Sequence, residues 1–275
     1  MRESPRSNVL DSPEIAPRSH VCWVVADAMT YEAMAVEMLI KGRESGEKIF
    51  AFGPADSESR KALRHVGALV ADPYTDFLGG GAFDPEAMFT MFRAQMDAAR
   101  AEGWDGLRVV ADMDWLIPTG ATTEEVVAFE ARLDSVVHEL GATVVCAYRA
   151  ETFDADAIDG IAAVHPVVSG ADPAFQLVST GAGRWRLSGE IDFSALASLD
   201  AALEAITREP AVIDLADLRF IDCAGMRSLA RTLASSEIRL THIPRFLRRQ
   251  WDLTGLSALA PLLDGDGLDR ALLSP

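Results

Sequence analysis

Short apolar runs alternate with amphipathic helical patterns through residues 19–169, and that alternation constrains the fold of this chain more than any other feature. The runs are His20–Ala26 (HVCWVVA), Lys48–Gly53 (KIFAFG), Gly67–Ala71, Leu107–Ala111 (LRVVA), Ala142–Tyr148 (ATVVCAY) and Val164–Val168. They are apolar throughout rather than at every second residue, as strands covered on both faces are. Helical stripes lie between them. Tyr31, Met34, Ala35, Met38 and Leu39 share a face, with Gly42 near the expected stop. Residues 57–66 predict a short helix. Asp84 followed by Pro85 opens another, with Met88, Phe92, Met96 and Ala99 inward and Gly103 at its end. Thr122 and Glu125 match a capping box that starts a helix carrying Val126, Phe129, Leu133, Val136 and Leu140, closed by Gly141. A short helix over 156–163 completes the series. Strands that alternate with helices imply a doubly wound, parallel sheet with helices on both faces, and ligands of such sheets bind beyond the carboxyl ends of the strands.

After Ser169 the pattern changes. Residues 170–174 read as a linker, and 175–275 as a second α/β module with a mixed sheet. Phe175–Thr180 and Arg184–Leu187 form a hairpin around Gly181-Ala182-Gly183. A helix follows with Leu196, Leu199, Leu203 and Ile206 on one face, then a strand at 211–215. Ile238–His242 is a strand and Arg245–Leu253 a short helix. The stretch bearing Leu259, Leu262, Leu263, Leu268, Leu272 and Leu273 is expected to pack as a helix or turn. Residues 1–18, with Pro5, Pro13 and Pro17, are expected to be a flexible tail.

A chain of 275 residues with 49% hydrophobic content has room for these two modules. Its net charge is −17, and because residues 171–275 carry 11 basic and 14 acidic groups, −14 of it lies in the first 170 residues. Such a surface repels phosphate backbones and argues against nucleic acid as a partner. The three cysteines, Cys22, Cys146 and Cys223, are too few and too far apart for a disulfide framework. No apolar run reaches the roughly 20 residues needed to span a bilayer, and the N-terminal stretch lacks the apolar core of a signal peptide. The expectation is a cytoplasmic protein without a membrane partner.

The stretch Asp217–Met226 (DLRFIDCAGM) joins the strand at 211–215 to a helix with Met226, Leu229, Ala230 and Leu233 at helical spacing. Asp222 occupies the N-cap position, which places Cys223 and Ala224 on a strand-to-helix turn at the surface. In the first module no phosphate loop follows the first strand, and Gly79-Gly80-Gly81 lacks the Lys and Ser/Thr that such a loop needs. Asp112 and Asp114 end a strand in the manner of a Mg²⁺ site, but without a phosphate loop they read as loop carboxylates. His20 and Cys22 are two apart on a strand and so face one side, as do Cys146 and Tyr148. With His165 they offer imidazole and thiol groups to a small ligand. Spacing fixes facing only within each pair, so neither a metal nor a cofactor is assigned. Arg245, Arg248 and Arg249 cluster beside Trp251, as either a solvated helix face or a patch for an acidic partner. No nucleophile–base pair is recognisable, which argues against an enzyme.

Two family resemblances follow from these residues. Leu187-Ser-Gly-Glu-Ile-Asp192, Val212-Ile-Asp-Leu215, the DLRFIDCAGM stretch and Trp251-Asp-Leu-Thr-Gly-Leu256 resemble the STAS domain of bacterial anti-sigma factor antagonists. The resemblance implies a domain that docks an anti-sigma factor or switch-protein kinase, with Asp192, Asp214, Asp222, Cys223, Ala224, Gly225 and Ser228 around the docking turn. In many members a Ser or Thr after the Asp of that turn is phosphorylated. Here that position is Cys223 and the next is Ala224, which leaves Ser228, one turn along, as the nearest hydroxyl. His20-Val-Cys22, Gly46-Glu-Lys48, Asp112-Met-Asp-Trp115, Phe129-Glu130, Val145-Cys-Ala-Tyr148 and His165-Pro166 resemble the MEDS sensory domain of methanogen and methylotroph regulators. That resemblance implies a RecA-like scaffold without a working phosphate loop, sensing a small organic molecule, with His20, Cys22, Asp112, Trp115, Cys146, Tyr148 and His165 as ligand-binding candidates.

The expectation is therefore a signalling protein in which residues 19–169 sense a ligand and residues 175–275 dock a protein partner, in a partner-switching pathway that regulates transcription. The competing readings are a thiol redox switch at Cys223 and a degenerate nucleotide-binding protein or NTPase. The sequence leaves self-association open.

Overall fold

The computed structural model describes residues 15–53 and 59–262. The first sheet has six strands in the order β3-β2-β4-β5-β1-β6. They are β1 (His20–Val25), β2 (Glu47–Phe52), β3 (Leu69–Ala71), β4 (Gly106–Asp112), β5 (Thr143–Arg149) and β6 (Val167–Ser169), and every pairing is parallel. The connecting helices are α1 (Ala28–Glu44), α2 (Ser59–His65), α3 (Pro73–Asp76), α4 (Pro85–Ala101), α5 (Thr123–Leu140) and α6 (Ala155–Ala162). Strand polarity and crossover helices agree with the doubly wound expectation. The central strands β1, β2, β4 and β5 are buried on both faces as the sequence suggested, whereas the edge strands β3 and β6 are partly exposed. Val21, Trp23 and Val25 of β1 join a core with Tyr31, Ala35, Met38 and Leu39 of α1, while Cys22 and Val24 point the other way, into the core with α4 and α5.

The caps read from the sequence hold α4 and α5. Asp84 accepts from Glu86 N and Ala87 N with Pro85 at the first helical position, and the Thr122–Glu125 capping box is complete. Gly42 lies near the end of α1, as expected, and the helix stops at Glu44. A Cβ at Gly42 would lie 2.5 Å from Arg108 Cδ, so this glycine makes room for the Arg108 side chain. Arg108 is there to meet Glu47 (Nε–Oε2 2.6 Å), a buried ion pair across β2 and β4. The strand expected over 164–168 forms later, as β6; Val164 and His165 are buried in the turn after α6, where Val164 N and His165 N donate to Ile161 O and Ala162 O. Part of the helix expected over 57–66 and Leu263, Leu268, Leu272 and Leu273 of the C-terminal piece lie outside the described residues, as does most of the tail.

The second sheet is mixed. β7 (Phe175–Gly181) and β8 (Arg184–Ile191) form the expected antiparallel hairpin. β9 (Ala211–Asp214) and β10 (Leu218–Ile221) run parallel to successive stretches of β8, at Arg184–Arg186 and Gly189–Ile191, and β11 (Ile238–Thr241) pairs with β9. α7 (Leu196–Ile206), α8 (Cys223–Ser235) and α9 (Arg245–Leu253) complete the unit.

The two sheets share a core. A continuous cluster of buried side chains runs from Cys22, Phe129 and Tyr148 through Ile161 to Phe175, Leu177, Trp185, Leu199 and Leu203. α5 packs on both α7 and β7, and β7 is tied to the turn after α6 by Leu177 N to Ala163 O (2.8 Å) and Gln176 Nε2 to His165 O (2.7 Å). α6 and α7 approach closely where Gly160 faces Ser198.

Candidate functional site

The parallel pairing of β1 with β5 places Cys22 opposite Cys146 and His20 opposite Val144. The side chains of His20, Cys22, Cys146 and Tyr148 thus emerge on one face of the sheet, toward α5, where Glu130 and Asp134 project one helical turn apart. His165 arrives from the turn after α6. All of these groups are buried. Glu130 is the hub. Its Oε2 lies 3.1 Å from His20 Nε2, 3.5 Å from His165 Nε2 and 3.6 Å from Cys146 Sγ, and its Oε1 accepts from the Tyr148 hydroxyl. Cys146 Sγ is 3.7 Å from His20 Nε2, and the two imidazole rings are 4.1 Å apart. His20 Nδ1 lies 3.3 Å from Asp134 Oδ1. The other oxygen of Asp134, Oδ2, accepts from Ser179 N of β7 at 2.6 Å.

Buried charge of this density persists only where it is compensated. Burial, the largest influence on His20, opposes its charge; hydrogen bonds to Asp134 and Glu130 outweigh it and raise its pKa from 6.5 to about 9. Burial likewise opposes the Glu130 carboxylate, but His165 and His20 beside it hold the carboxyl well below the usual range. His165 is shifted down, by burial and then by the charge on His20. Burial and the Glu130 charge push the Cys22 and Cys146 thiols up, and burial does the same for the Tyr148 phenol. Among the described residues, His165 Nε2 has no hydrogen-bond partner.

The carboxyl ends of the strands, where a doubly wound sheet binds its ligand, are occupied differently. Arg149 at the end of β5 pairs with Asp114, with Asp112 (3.6 Å) and with Glu151 (3.5 Å). Burial raises Asp112 to about 6 against the pull of Arg149. Asp27 caps α1 through Thr30 N at 2.8 Å, so a carboxylate holds the helix N-terminus that would receive a phosphate. Trp115 is buried near Phe83, in a 3-10 turn over Met113–Thr119. Asp112 and Trp115 therefore do not converge with the histidines and cysteines.

In the second sheet, Asp222 Oδ1 accepts from Ala224 N and Gly225 N, both at 2.8 Å, as the N-cap reading required. Asp222 N donates to Ile191 O (2.9 Å), which sets the turn beside Asp192 at the end of β8. Gly225 must be small, since a Cβ there would lie 2.8 Å from Ile221 Cγ1 and 3.0 Å from Ile191 Cγ2. Cys223 is exposed, and Phe193 (79% exposed) and Phe220 (45%) stand beside Asp192 and Asp222 in the chain. Asp192 caps Ser194 N, and Asp214 accepts from Ala216 N (2.8 Å) and meets His242 Nδ1 (3.0 Å). Ser228 corrects an expectation: its hydroxyl is buried and donates to Asp200, so it is not presented as a substitute acceptor for phosphate. Trp251 is also buried, its Nε1–H donating to Ala260 O (2.8 Å), and does not belong to a surface patch with Arg245 and Arg249.

Residues 19–166 match the family described as MEDS, the methanogen/methylotroph, DcmR sensory domain. The chain belongs to the MEDS family. Residues 178–264 match the STAS domain. No curated protein matches the chain. A MEDS sensory domain thus precedes a STAS domain of the kind that suggests an anti-sigma factor antagonist-like role. Of the seven residues singled out in the MEDS domain, the fold brings His20, Cys22, Cys146, Tyr148 and His165 to one buried place and leaves Asp112 and Trp115 at the strand ends. Glu130 and Asp134 were missed as members of the site. Their signal was a pair of acids on the inward side of α5, beside Phe129 and Leu133, where an apolar stripe has no reason to carry charge.

Proposed function

We propose that the MEDS domain senses a small ligand at the His20–Glu130–Cys146–His165 cluster and that ligand state changes how the STAS domain docks a protein of the anti-sigma factor or switch-protein kinase class. The chain divides for this purpose into a sensor over 19–169, a linker over 170–174 and a docking module from 175. The observation that carries the reading is the bridge made by Asp134, one oxygen to His20 in the cluster and the other to Ser179 N in the first STAS strand. A change of charge or position at His20 is felt by β7 through the single side chain of Asp134. The docking turn offers Asp222, Cys223 and the exposed Phe193 and Phe220. With no hydroxyl at Cys223 or Ala224, regulation through the sensor takes the place of phosphorylation at the turn. The MEDS and STAS families are typically non-enzymatic regulatory domains. Among the described residues no helix is long and apolar enough to cross a membrane.

Calorimetric titration of the full chain against the anti-sigma factors and switch-protein kinases of its own genome tests this. At least one should bind, Phe220→Asp should weaken that binding by tenfold or more as an interface anchor does, and Asp134→Ala should alter it from a distance. Failure to bind any of them would sink the docking claim, and an affinity indifferent to Asp134→Ala would sink the coupling.

A further inference from the structure

We propose that His20 Nε2, Glu130 Oε2, Cys146 Sγ and His165 Nε2 are the four ligands of a tetrahedral site for a zinc-class divalent metal ion. The inference rests on the sensory reading of the same cluster and names its ligand. The four donor atoms lie within 4.8 Å of one another. Four of their separations are 3.1, 3.5, 3.6 and 3.7 Å. Ligand bonds of about 2.0–2.3 Å at tetrahedral angles give edges of about 3.3–3.7 Å, so the cluster is already close to the required size.

The hydrogen bonds behind the donors point the same way. His165 Nδ1 faces Ile161 O at 2.9 Å. A carbonyl only accepts, so the ring proton sits on Nδ1 and the Nε2 lone pair points into the cluster, where it has no hydrogen-bond partner among the described residues. Facing it is a carboxylate oxygen, and two lone pairs repel unless a proton or a cation lies between them. His20 Nδ1 is turned to the Asp134 carboxylate, and the far oxygen of Glu130 is held by the Tyr148 hydroxyl. Three of the four ligands are thus oriented from behind by an outer partner, in the manner of metal-binding histidines and carboxylates. A mixed nitrogen, sulfur and oxygen set suits zinc and its neighbours and does not suit Ca²⁺ or Mg²⁺. Four protein ligands in a closed pocket describe a structural or regulatory site rather than a catalytic one with an open position.

Binding is balanced by proton release. His20 gives up the proton on Nε2 and Cys146 its thiol proton, while Glu130 and the neutral Nε2 of His165 bind as they stand. One divalent ion replaces two protons. Loading therefore withdraws the charge on His20 that Asp134 compensates, and this is how the ion would reach Ser179.

The test uses the purified full chain, stripped of metal by chelator under reducing, mildly denaturing conditions and refolded with Co²⁺ or Zn²⁺. One ion per chain is expected by elemental analysis. The Co²⁺ form should show intense tetrahedral d–d bands and a thiolate-to-cobalt charge-transfer band, both bleached by Zn²⁺. Cys146→Ser should abolish the charge-transfer band, Asp134→Asn should weaken binding about 10–100-fold as loss of an outer partner does, and Cys223→Ser, at an exposed thiol, should leave the spectrum intact. Folded wild-type chain that binds no stoichiometric metal overturns the site, as does a charge-transfer band that survives Cys146→Ser. Because this readout needs no protein partner, its failure would leave the docking result to stand or fall by itself.

Discussion

Replacing Asp134 with Asn isolates the contact on which the sensory reading depends. The side chain keeps its shape, and its remaining carbonyl can still accept from Ser179 N, but its amide donates where the carboxylate accepted from His20 Nδ1. In the metal-free chain, His20 is raised from 6.5 to about 9. At about 1.4 kcal/mol per pH unit this displacement is worth about 3 kcal/mol, shared between Asp134 and Glu130. A raised histidine contributes that stability in full below the unfolded value of 6.5 and loses it as pH rises through about 9. Glu130 and His165 are shifted down, so their contributions fade instead on acidification. Wild-type stability should therefore be greatest near neutrality and decline on both sides. The variant loses a charge-assisted hydrogen bond, about 2 kcal/mol below pH 7, and only a neutral one, about 1 kcal/mol, above pH 9. For a chain of this size the first figure is about 4–8 °C in melting temperature. Urea and thermal unfolding of both proteins with chelator present, from pH 6 to 9.5, measures the gap. A gap that stays level or widens toward alkaline pH would refute a charged His20 held by Asp134.

Three further outcomes follow from the geometry. Cys223 is exposed while Cys22 and Cys146 are buried, so iodoacetamide should label one thiol per native chain and three after denaturation, counted by mass. Gly160→Val should destabilise by about 1–3 kcal/mol, because a Cβ at Gly160 lies 2.3 Å from Ser198 Oγ; Ser198→Gly should recover part of the loss in a double-mutant cycle. Arg108→Met strands the buried Glu47 carboxylate and should cost about 3–5 kcal/mol in denaturant unfolding, while Arg108→Met combined with Glu47→Gln should cost clearly less.

The fold was legible because its signals are local. Strands such as HVCWVVA and ATVVCAY are apolar on both faces, and the caps at Asp84, Thr122 and Asp222 each satisfy backbone groups within a few residues. Local rules placed Gly42 near the end of α1 but could not show why a glycine stands there, which is set by Arg108, some 66 positions along the chain. The site was half legible for the same reason. Period-two spacing fixes that His20 and Cys22 face one way and Cys146 and Tyr148 one way, but only the β1–β5 register makes those the same way. Glu130 and Asp134 fall at helical spacing with Val126, Leu133 and Val137 on the inward side of α5, a signal that is easily lost among the many acids of an acidic chain. Ser228 failed conversely: helical spacing put a hydroxyl one turn beyond the docking turn without showing that the side chain faces α7 and Asp200.

A bridge between two modules transmits a signal only if some element on the path has two arrangements available. On the proposed reading that element is the β7–β8 pairing. Its register shifts between Ser179 and Gly181, and Gly181 has φ +139°, a conformation open to glycine. Such an irregularity leaves one residue out of the ladder and bends the strand, and it falls at the residue whose N–H Asp134 holds. When His20 carries a proton, Asp134 is shared between a cation and Ser179 N. When His20 loses it, the carboxylate is free to bind Ser179 N more strongly or to leave it, and the irregularity at Ser179–Gly181 is where the strand can yield. β8 runs from this point, at Trp185, to Ile191, whose carbonyl accepts from Asp222 N at the docking turn. The six residue steps from Trp185 to Ile191 span about 20 Å of strand. On the proposed reading, a change of pairing at one end of β8 would reach the turn that bears Cys223 along the strand itself.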